Sequence, residues 1–296
     1  MLLLTLIYEG EKRFISDINL IKDRFRDRNI TIGISESMEN RTHFVKIFCG
    51  DDEVSNKMIN IFNLYIADIL YKVMATEFYD KNMTCFLNDS YFFLKADELQ
   101  EIELLCVKVL NGDELLLDDS GIFCMNRRNA IIEKIVHCIE ENRTINVDGF
   151  ITFRTKELFK DMEVIIDKIV ERYMVEKEYN EFIKLLKYFV EIQESRIDEV
   201  NIIIDAAGQY KVTNKDGKDI LDEFLDGIEY KKVDNNIEDL IISGLITNSP
   251  AKIVIHGVRN CVNKEIVDTI KNVFNDRVEI CNGCKRCCEV KEKIKI

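Results

Sequence analysis

The sequence predicts a mixed α/β (α+β) protein, and three observations support that class. The chain opens on an apolar run, "LLLTLIY", with the length and composition of a buried strand. Long segments in the middle repeat apolar residues every three or four positions, as amphipathic helices do. Near the end, two short β-branched runs flank a helical pattern, which is the order of a βαβ unit. We therefore predict three regions: an N-terminal α/β region over 1–80, a predominantly helical region with long helices over 81–195, and a small C-terminal α/β unit over 196–296.

The N-terminal region alternates strand and helix patterns. After the first strand, Ser16 can cap a helix over "DINLIKDRFRD", whose apolar residues fall on one face. The strand patterns "NITIGIS" and "HFVKIFCG" are separated by the polar "ESMENRT", which predicts a β-hairpin. Apolar residues between Met58 and Val73 then recur at helical spacing, so we expect a helix with a wide apolar face.

The central region is mainly helical by its periodicity, and 148–190 carries the strongest helical pattern. Its acidic stretch "EKEYNE" is typical of a solvated helix face, since no second carboxylate-rich helix offers histidine at the spacing of a di-metal site. Cys106, Cys124 and Cys138 are expected to be small buried side chains, because free cysteine is among the most buried residue types.

The C-terminal unit is expected to place several metal-binding side chains at one edge of its sheet. The strand patterns "AKIVIHG" and "VEIC" are joined by a helical pattern of roughly four turns, so they should lie parallel in one sheet. Parallel strands end at the same edge, where ligand sites usually form. His256 ends the first strand, Cys281 ends the second, and Cys261 lies in the loop between the first strand and the helix. We therefore expect these three side chains near one another.

The segment "EICNGCKRCCEV" predicts a metal site. Its repeated spacing Cys281-x-x-Cys284-x-x-Cys287 brings three thiolates within reach of one tetrahedral ion, and Gly283 permits a tight backbone turn. This spacing is that of one half of a zinc knuckle or zinc ribbon. We predict a structural zinc ion as the cofactor.

The fourth ligand of this site is expected to come from outside the segment. Cys287 and Cys288 are adjacent, and adjacent side chains point apart, so Cys288 is a weaker candidate than His256 or Cys261. The predicted ligands are therefore Cys281, Cys284, Cys287, His256 and Cys261.

Three alternatives for the same cysteines remain open. An iron–sulfur cluster requires a fourth cysteine, and the ferredoxin spacing would place it at position 291, which is lysine here. Cys281 and Cys284 have the spacing of a dithiol redox pair, although the segment does not open a helix early in a domain as thioredoxin-like motifs do. The third alternative is a reduced tail that binds no ligand.

The charge of the chain bears on its partners. Lysine and arginine number 41 and aspartate and glutamate number 54, so the net charge is −13 and the isoelectric point is about 4.9. The average field of such a protein repels nucleic acid and anionic membranes. We therefore expect protein partners and no nucleic-acid partner.

The apolar segments do not predict a membrane protein or a secreted one. The longest of them, "INIFNLYIADILYKVMATEFY", contains Asp68, Lys72 and Glu77, which a membrane span tolerates poorly. The opening "MLLLTLIY" has no basic segment before it and is too short for a signal peptide. We predict a cytoplasmic protein without membrane insertion. In the cytoplasm, cysteines are normally thiols, metal ligands or redox groups.

The sequence contains none of the common catalytic motifs. It has no phosphate-binding loop, no G-x-G-x-x-G, no H-E-x-x-H and no G-x-S-x-G, and only three histidines. These absences favour a non-enzymatic role.

Three stretches of the chain together resemble the YtxC-like sporulation protein family of endospore-forming bacteria. They are "FRTKEL…VERYMVEKEYNEFIKLLKYFVEIQ", "EDLIISGLITNSPAKIVIHG" and "DRVEICNGCKRC", which lie in this order between residues 153 and 287. The resemblance implies a cytosolic protein associated with spore formation, and it implies no catalytic residue. Together with the cysteine pattern, it leads us to expect a non-enzymatic sporulation-associated protein with a zinc site. A thiol redox or iron–sulfur protein is the alternative.

Overall fold

The computed structural model describes residues 1–10, 15–114, 116–224 and 237–284 of the chain. It is 63% helical with two small mixed sheets, so the predicted α+β class is confirmed. The chain divides into two compact units, Met1–Met174 (unit 1) and Val175–Ile296 (unit 2).

The sheet of unit 1 has the strand order β2-β3-β1-β4. Its strands are β1 (Leu2–Glu9), β2 (Ile32–Glu39), β3 (Thr42–Cys49) and β4 (Thr144–Asn146). The predicted first strand and the predicted hairpin are confirmed, since β2 and β3 pair antiparallel from Ile32 opposite Cys49 to Glu39 opposite Thr42. Strand β4 was not expected from the sequence. It pairs in parallel with β1 and brings a distant part of the chain to the edge of the sheet.

The helices of unit 1 surround an apolar core. They are α1 (Ile15–Arg26), α2 (Asn56–Phe78), α3 (Thr84–Ser90), α4 (Ala96–Asn111), α5 (Asp119–Glu141) and the first part of α6 (Val147–Ile192), with a π-helical segment (Tyr79–Met83) between α2 and α3. Helix α2 begins at Asn56 because the Ser55 side chain accepts a hydrogen bond from the backbone N–H of Met58. The core of this unit extends from Leu4 in β1 to Val170 in α6.

The segment Asn56–Ser90 is long and apolar enough to cross a membrane, by length and composition alone. The core helix of a soluble protein meets the same criterion, and here 56% of the most apolar window is buried inside the fold. Phe62, Ile66 and Leu70 of α2 are at most 1% exposed. The chain thus folds as a soluble globular protein in which α2 is a core element.

Unit 2 contains the predicted βαβ arrangement. Its strands are β5 (Glu199–Ile204), β6 (Tyr210–Asn214), β7 (Lys252–His256) and β8 (Val278–Ile280), and its helices are α6 from Val175, α7 (Leu221–Phe224), α8 (Ile237–Asn248) and α9 (Lys264–Phe274). The strand order is β6-β5-β7-β8. Strand β7 pairs in parallel with both β5 and β8, and α9 connects β7 to β8. The prediction of two parallel strands joined by a helix is therefore confirmed.

The two units divide the chain at other points than the three predicted regions. The predicted boundary after residue 80 lies within unit 1, where one continuous core includes side chains from both sides of it. The predicted boundary after residue 195 lies within unit 2, because Ile183 and Val190 of α6 belong to the core of that unit. Helix α6 therefore contributes to both cores.

Candidate metal centre

The carboxyl ends of β7 and β8 place the first two predicted ligands. His256 is the last residue of β7, and only 4% of it is exposed. Cys281 follows β8 directly, and its backbone N–H donates to the Ile255 carbonyl oxygen at 2.9 Å, which continues the pairing of the two strands. Both residues thus lie at the same edge of the sheet, as the parallel arrangement predicts.

Three predicted ligands come together at this edge. The ligand atoms of His256, Cys281 and Cys284 all lie within 4.8 Å of one another. The Sγ atom of Cys284 is 3.5 Å from Nδ1 of His256. A tetrahedral zinc ion with a nitrogen at about 2.05 Å and a sulfur at about 2.3 Å would separate those two atoms by about 3.6 Å. The spacing of the nitrogen and the sulfur therefore fits one shared zinc ion.

The second nitrogen of His256 is held by a buried asparagine. Its Nε2 atom lies 3.0 Å from Oδ1 of Asn201, a residue of β5 that is 2% exposed. The amide nitrogen of Asn201 donates to Oε1 of Glu199 at 3.0 Å and to the Asn214 carbonyl oxygen at 3.3 Å. Two acceptors at this nitrogen fix the orientation of the amide, so Oδ1 accepts and Nε2 of His256 donates. In the neutral ring, the lone pair is then on Nδ1, the nitrogen that contacts Cys284.

This arrangement is the usual support of a metal-bound histidine. Metal-ligating imidazoles almost always donate their other N–H to a protein acceptor, which fixes the ring and its tautomer. Asn201 provides that acceptor for His256. Asn201 is not among the residues predicted from the sequence, although an asparagine inside the apolar strand pattern "VNIII" is a signal that could have found it.

Two glycines shape the turns that carry the site. Gly257 follows His256 with φ of 70°, and a Cβ atom at this position would lie 2.2 Å from the Ile204 carbonyl oxygen. Only glycine combines this left-handed conformation with so close an approach to β5. Gly283 lies between the two cysteines with φ of 131°, a conformation that L side chains rarely adopt. The predicted role of Gly283 in the turn agrees with this conformation.

The structure places Cys261 in a different cluster. Its Sγ donates to the Asn263 carbonyl oxygen at 2.9 Å and lies 3.3 Å from Oη of Tyr210. The hydroxyl of Tyr210 donates to Oε1 of Glu238 at 2.6 Å, and Nδ2 of Asn263 donates to Oε2 of the same buried carboxylate at 2.7 Å. Burial, with the hydrogen bonds to Cys261 and Glu238, raises the pKa of Tyr210 far above its ordinary value. Proximity in the loop after β7 was therefore not enough to bring Cys261 to the other ligands.

The five cysteines considered next fall into three groups. Cys287, a predicted ligand, and Cys288 lie outside the described residues. Cys106 and Cys124 are buried in unit 1, as expected, and burial raises the pKa of both thiols. Cys138 is half-buried against the same core. Among the described residues, His256, Cys281 and Cys284 are the group of cysteine, histidine and carboxylate side chains close enough to share a metal ion.

Comparison with known proteins gives the relatives of this chain. A sequence model of the YtxC-like family matches residues 64–279. A Bacillus subtilis (strain 168) protein described as "Uncharacterized protein YtxC" is 24% identical over 216 residues, which cover 73% of this chain and 76% of that protein. No solved structure matches the chain. The family match includes His256 and ends two residues before Cys281, so the similarity extends through most of both units up to the candidate ligand Cys281.

Proposed function

This chain belongs to the YtxC-like family, and from that premise we propose that it is a cytoplasmic, non-enzymatic, sporulation-associated protein that binds one structural zinc ion. The zinc would be held by His256, Cys281 and Cys284, and the sequence spacing supplies Cys287 as the fourth ligand. The observation that carries the proposal is the convergence of three ligand atoms within 4.8 Å at the carboxyl edge of the sheet.

A zinc ion at this position would connect elements that are otherwise joined weakly. Strand β8 has only three residues, and its pairing with β7 extends over Ile253–Ile255. A bond from the end of β7 to the two cysteines after β8 would hold this short strand in the sheet. Because such a site rarely exists in the unfolded chain, the binding free energy becomes folding free energy of unit 2.

The first experiment measures zinc in untagged protein. We expect about one equivalent of zinc per chain in the wild type. The double variant Cys281→Ser/Cys284→Ser should contain little zinc, because it lacks two of the thiolate ligands. The double variant Cys85→Ser/Cys138→Ser makes the same chemical change in unit 1 and should retain zinc. Metal-free wild-type protein in which all thiols react freely with an alkylating reagent would contradict the zinc proposal.

The second experiment tests the role in sporulation. Deletion of the gene in a spore-forming host should lower the number of heat-resistant spores without slowing vegetative growth. The wild-type chain should restore spore formation. Restoration by the Cys281→Ser/Cys284→Ser variant as well would separate the cellular role from the metal site. An unchanged spore number after deletion would contradict the role in sporulation.

A thiol redox or iron–sulfur function is the second candidate, and the same short distances favour it. The Sγ atoms of Cys281 and Cys284 lie within 4.8 Å of each other, so the two thiols are neighbours at the spacing of a dithiol redox pair. Anaerobic purification distinguishes the three cases. A coloured, iron-containing protein supports a cluster, a colourless metal-free protein with a reversible Cys281–Cys284 disulfide supports redox chemistry, and a colourless zinc-containing protein supports the structural site.

A further inference from the structure

A cleft of about 370 Å³ opens at the carboxyl edge of the sheet in unit 2, beside the metal centre. It lies between the ends of β5, β7 and β8 and the turns that follow them. From β5 the chain turns to β6 on one side, whereas from β7 it crosses to β8 on the other side. The crevice outside strand ends at such a change of direction is where open α/β sheets bind ligands.

The walls of the cleft are apolar at the strand ends and polar at the rim. Ile203 and Ile280 contribute to the apolar part, and Arg259, Asn260 and Asn282 contribute to the polar part. The side chain of Ile204 is 2% exposed and belongs to the core of unit 2. A water molecule occupies about 30 Å³ of the liquid, so the cleft has room for roughly a dozen waters or for a small organic ligand. A short aliphatic ligand with one polar head group matches both the size and the two kinds of wall.

Among its described lining residues the cleft carries a cationic side chain and no carboxylate, although the whole chain is acidic. Arg259 lines the cleft, is exposed, and forms no ion pair with any carboxylate in the described part of the chain. None of the described lining residues is acidic. An unpaired guanidinium next to apolar walls favours a bound carboxylate, since the two groups match in shape and can form paired hydrogen bonds.

Two carboxylates that neighbour the lining residues in sequence are engaged elsewhere. Asp205 follows β5, but its Oδ1 accepts from the backbone N–H groups of Ala207 at 2.8 Å and Gln209 at 2.9 Å within its own turn. Glu279 of β8 forms an ion pair with Lys252 at 2.5 Å. These carboxylates therefore do not occupy the guanidinium of Arg259.

We propose that this cleft binds a small aliphatic carboxylate, with Arg259 pairing with the carboxylate and the isoleucine side chains covering the aliphatic part. The proposal goes beyond the zinc site, because neither Arg259 nor the isoleucines belong to the group of ligands. His256 and Cys281 also line the cleft, so a ligand there lies next to the zinc that we propose. With the three thiolates and one neutral imidazole proposed above, the zinc centre has a formal charge of −1, so the ligand carboxylate is expected to pair with Arg259 and not with the zinc.

The test uses hexanoate as the probe on the full-length protein, followed by saturation-transfer difference NMR. Hexanoate should bind saturably, acetate should bind more weakly because it lacks the aliphatic part, and 1-hexanol should bind more weakly because it lacks the charge. Arg259→Gln should weaken hexanoate binding about tenfold or more, as expected for loss of a charge-assisted hydrogen bond. The matched control is Arg196→Gln, an exposed arginine before the amino end of β5, which should bind hexanoate as the wild type does.

The possible results separate this proposal from the zinc site. Zinc content is measured on the same samples, so loss of the metal and loss of hexanoate binding are recorded independently. Hexanoate binding in both zinc-loaded and chelator-treated protein, weakened about tenfold or more by Arg259→Gln, supports the cleft whether or not the zinc proposal holds. Equal binding of 1-hexanol, an unchanged affinity in Arg259→Gln, or no saturable binding of hexanoate would each overturn it. Circular dichroism confirms that the variants fold.

Discussion

The Nε2 atom of His256 lies 3.0 Å from Oδ1 of Asn201, and this contact determines which ring nitrogen faces the cysteines. Both residues are buried, His256 at the end of β7 and Asn201 within the neighbouring strand β5. The hydrogen bond holds the imidazole in the plane and tautomer that a metal ion at Nδ1 requires. The position of the histidine is therefore a property of the sheet, and not of the cysteine segment.

Replacement of Asn201 is predicted to weaken zinc binding without removing a ligand. Asn201→Leu leaves the Nε2–H of His256 buried without its acceptor, so the ring loses its fixed orientation. We expect zinc affinity to fall about 10- to 100-fold, and unfolding free energy to fall by about 1–3 kcal/mol. Competition with a zinc chelator measures the first and denaturant unfolding measures the second. Asn282→Ala, an exposed asparagine between the cysteines, is the control, and an equal loss of affinity in both variants would contradict this role of Asn201.

The turn after β7 is predicted to accept no side chain at Gly257. Gly217→Ala introduces a side chain at φ of 86° into open space. It should lower the free energy of unfolding only by the cost of the left-handed conformation, about 1–2 kcal/mol. Gly257→Ala has the same kind of φ, 70°, but its Cβ atom would lie 2.2 Å from the Ile204 carbonyl oxygen. We expect Gly257→Ala to lower the free energy of unfolding by at least about 2 kcal/mol more than Gly217→Ala does, because the backbone must move. Denaturant unfolding of the two variants measures the difference, and equal losses would show that the close approach has no energetic effect.

Alkaline pH is predicted to destabilise unit 1 through Tyr71. Its hydroxyl is fully buried and donates to the Leu110 carbonyl oxygen at 2.9 Å, and burial raises its pKa to about 12. Because the folded state binds the proton more tightly than the unfolded state, this stability is complete below about pH 10 and is lost as pH rises towards 12. The shift corresponds to about 3 kcal/mol. Unfolding free energies measured between pH 9 and 12 should fall less steeply in Tyr71→Phe than in the wild type.

The control for this prediction is Tyr79→Phe, which removes a hydroxyl from an exposed tyrosine in the same unit. Between pH 10 and 12, the unfolding free energy of Tyr79→Phe should fall as steeply with pH as that of the wild type. At pH 8, Tyr71→Phe should itself be less stable by about 1 kcal/mol, since the Leu110 carbonyl loses its donor. A pH profile identical in Tyr71→Phe and the wild type would contradict the assignment to Tyr71.

The thiols are predicted to react in an order set by burial and by the metal. Cys85 is exposed and should be alkylated first in the native protein. Cys106 has no exposed surface, and burial raises the pKa of its thiol, so it should react only when unit 1 unfolds. Cys281 and Cys284 should be protected in the zinc-bound protein and become reactive when a chelator removes the ion. Time-resolved alkylation with mass spectrometry measures each site, and rapid modification of Cys106 under native conditions would contradict this order.

Several parts of the fold could be predicted from local pattern. The hairpin of β2 and β3 was predicted from an apolar period of two residues, and the amphipathic helices α2 and α9 from a period of about 3.6 residues. Both periods are visible within the short segment that forms the element. Strand β4 could not be predicted, because its three residues are too few to show a period and its partner β1 is more than 130 residues away. The sequence likewise did not predict that one core continues across residue 80, since that depends on which helices pack on the first sheet.

For the candidate site, too, some features could be predicted from the sequence and others depended on the tertiary structure. The sequence by itself determined that His256 and Cys281 end parallel strands, because a strand–helix–strand order constrains both to one edge, and it determined the close spacing of Cys281 and Cys284. Only the tertiary structure decided that Asn201 supports the histidine and that Cys261 turns instead towards Tyr210 and Asn263. Such choices depend on atoms brought together from β5, β6, α8 and α9, and the direction of a buried side chain follows from its nearest partner in space.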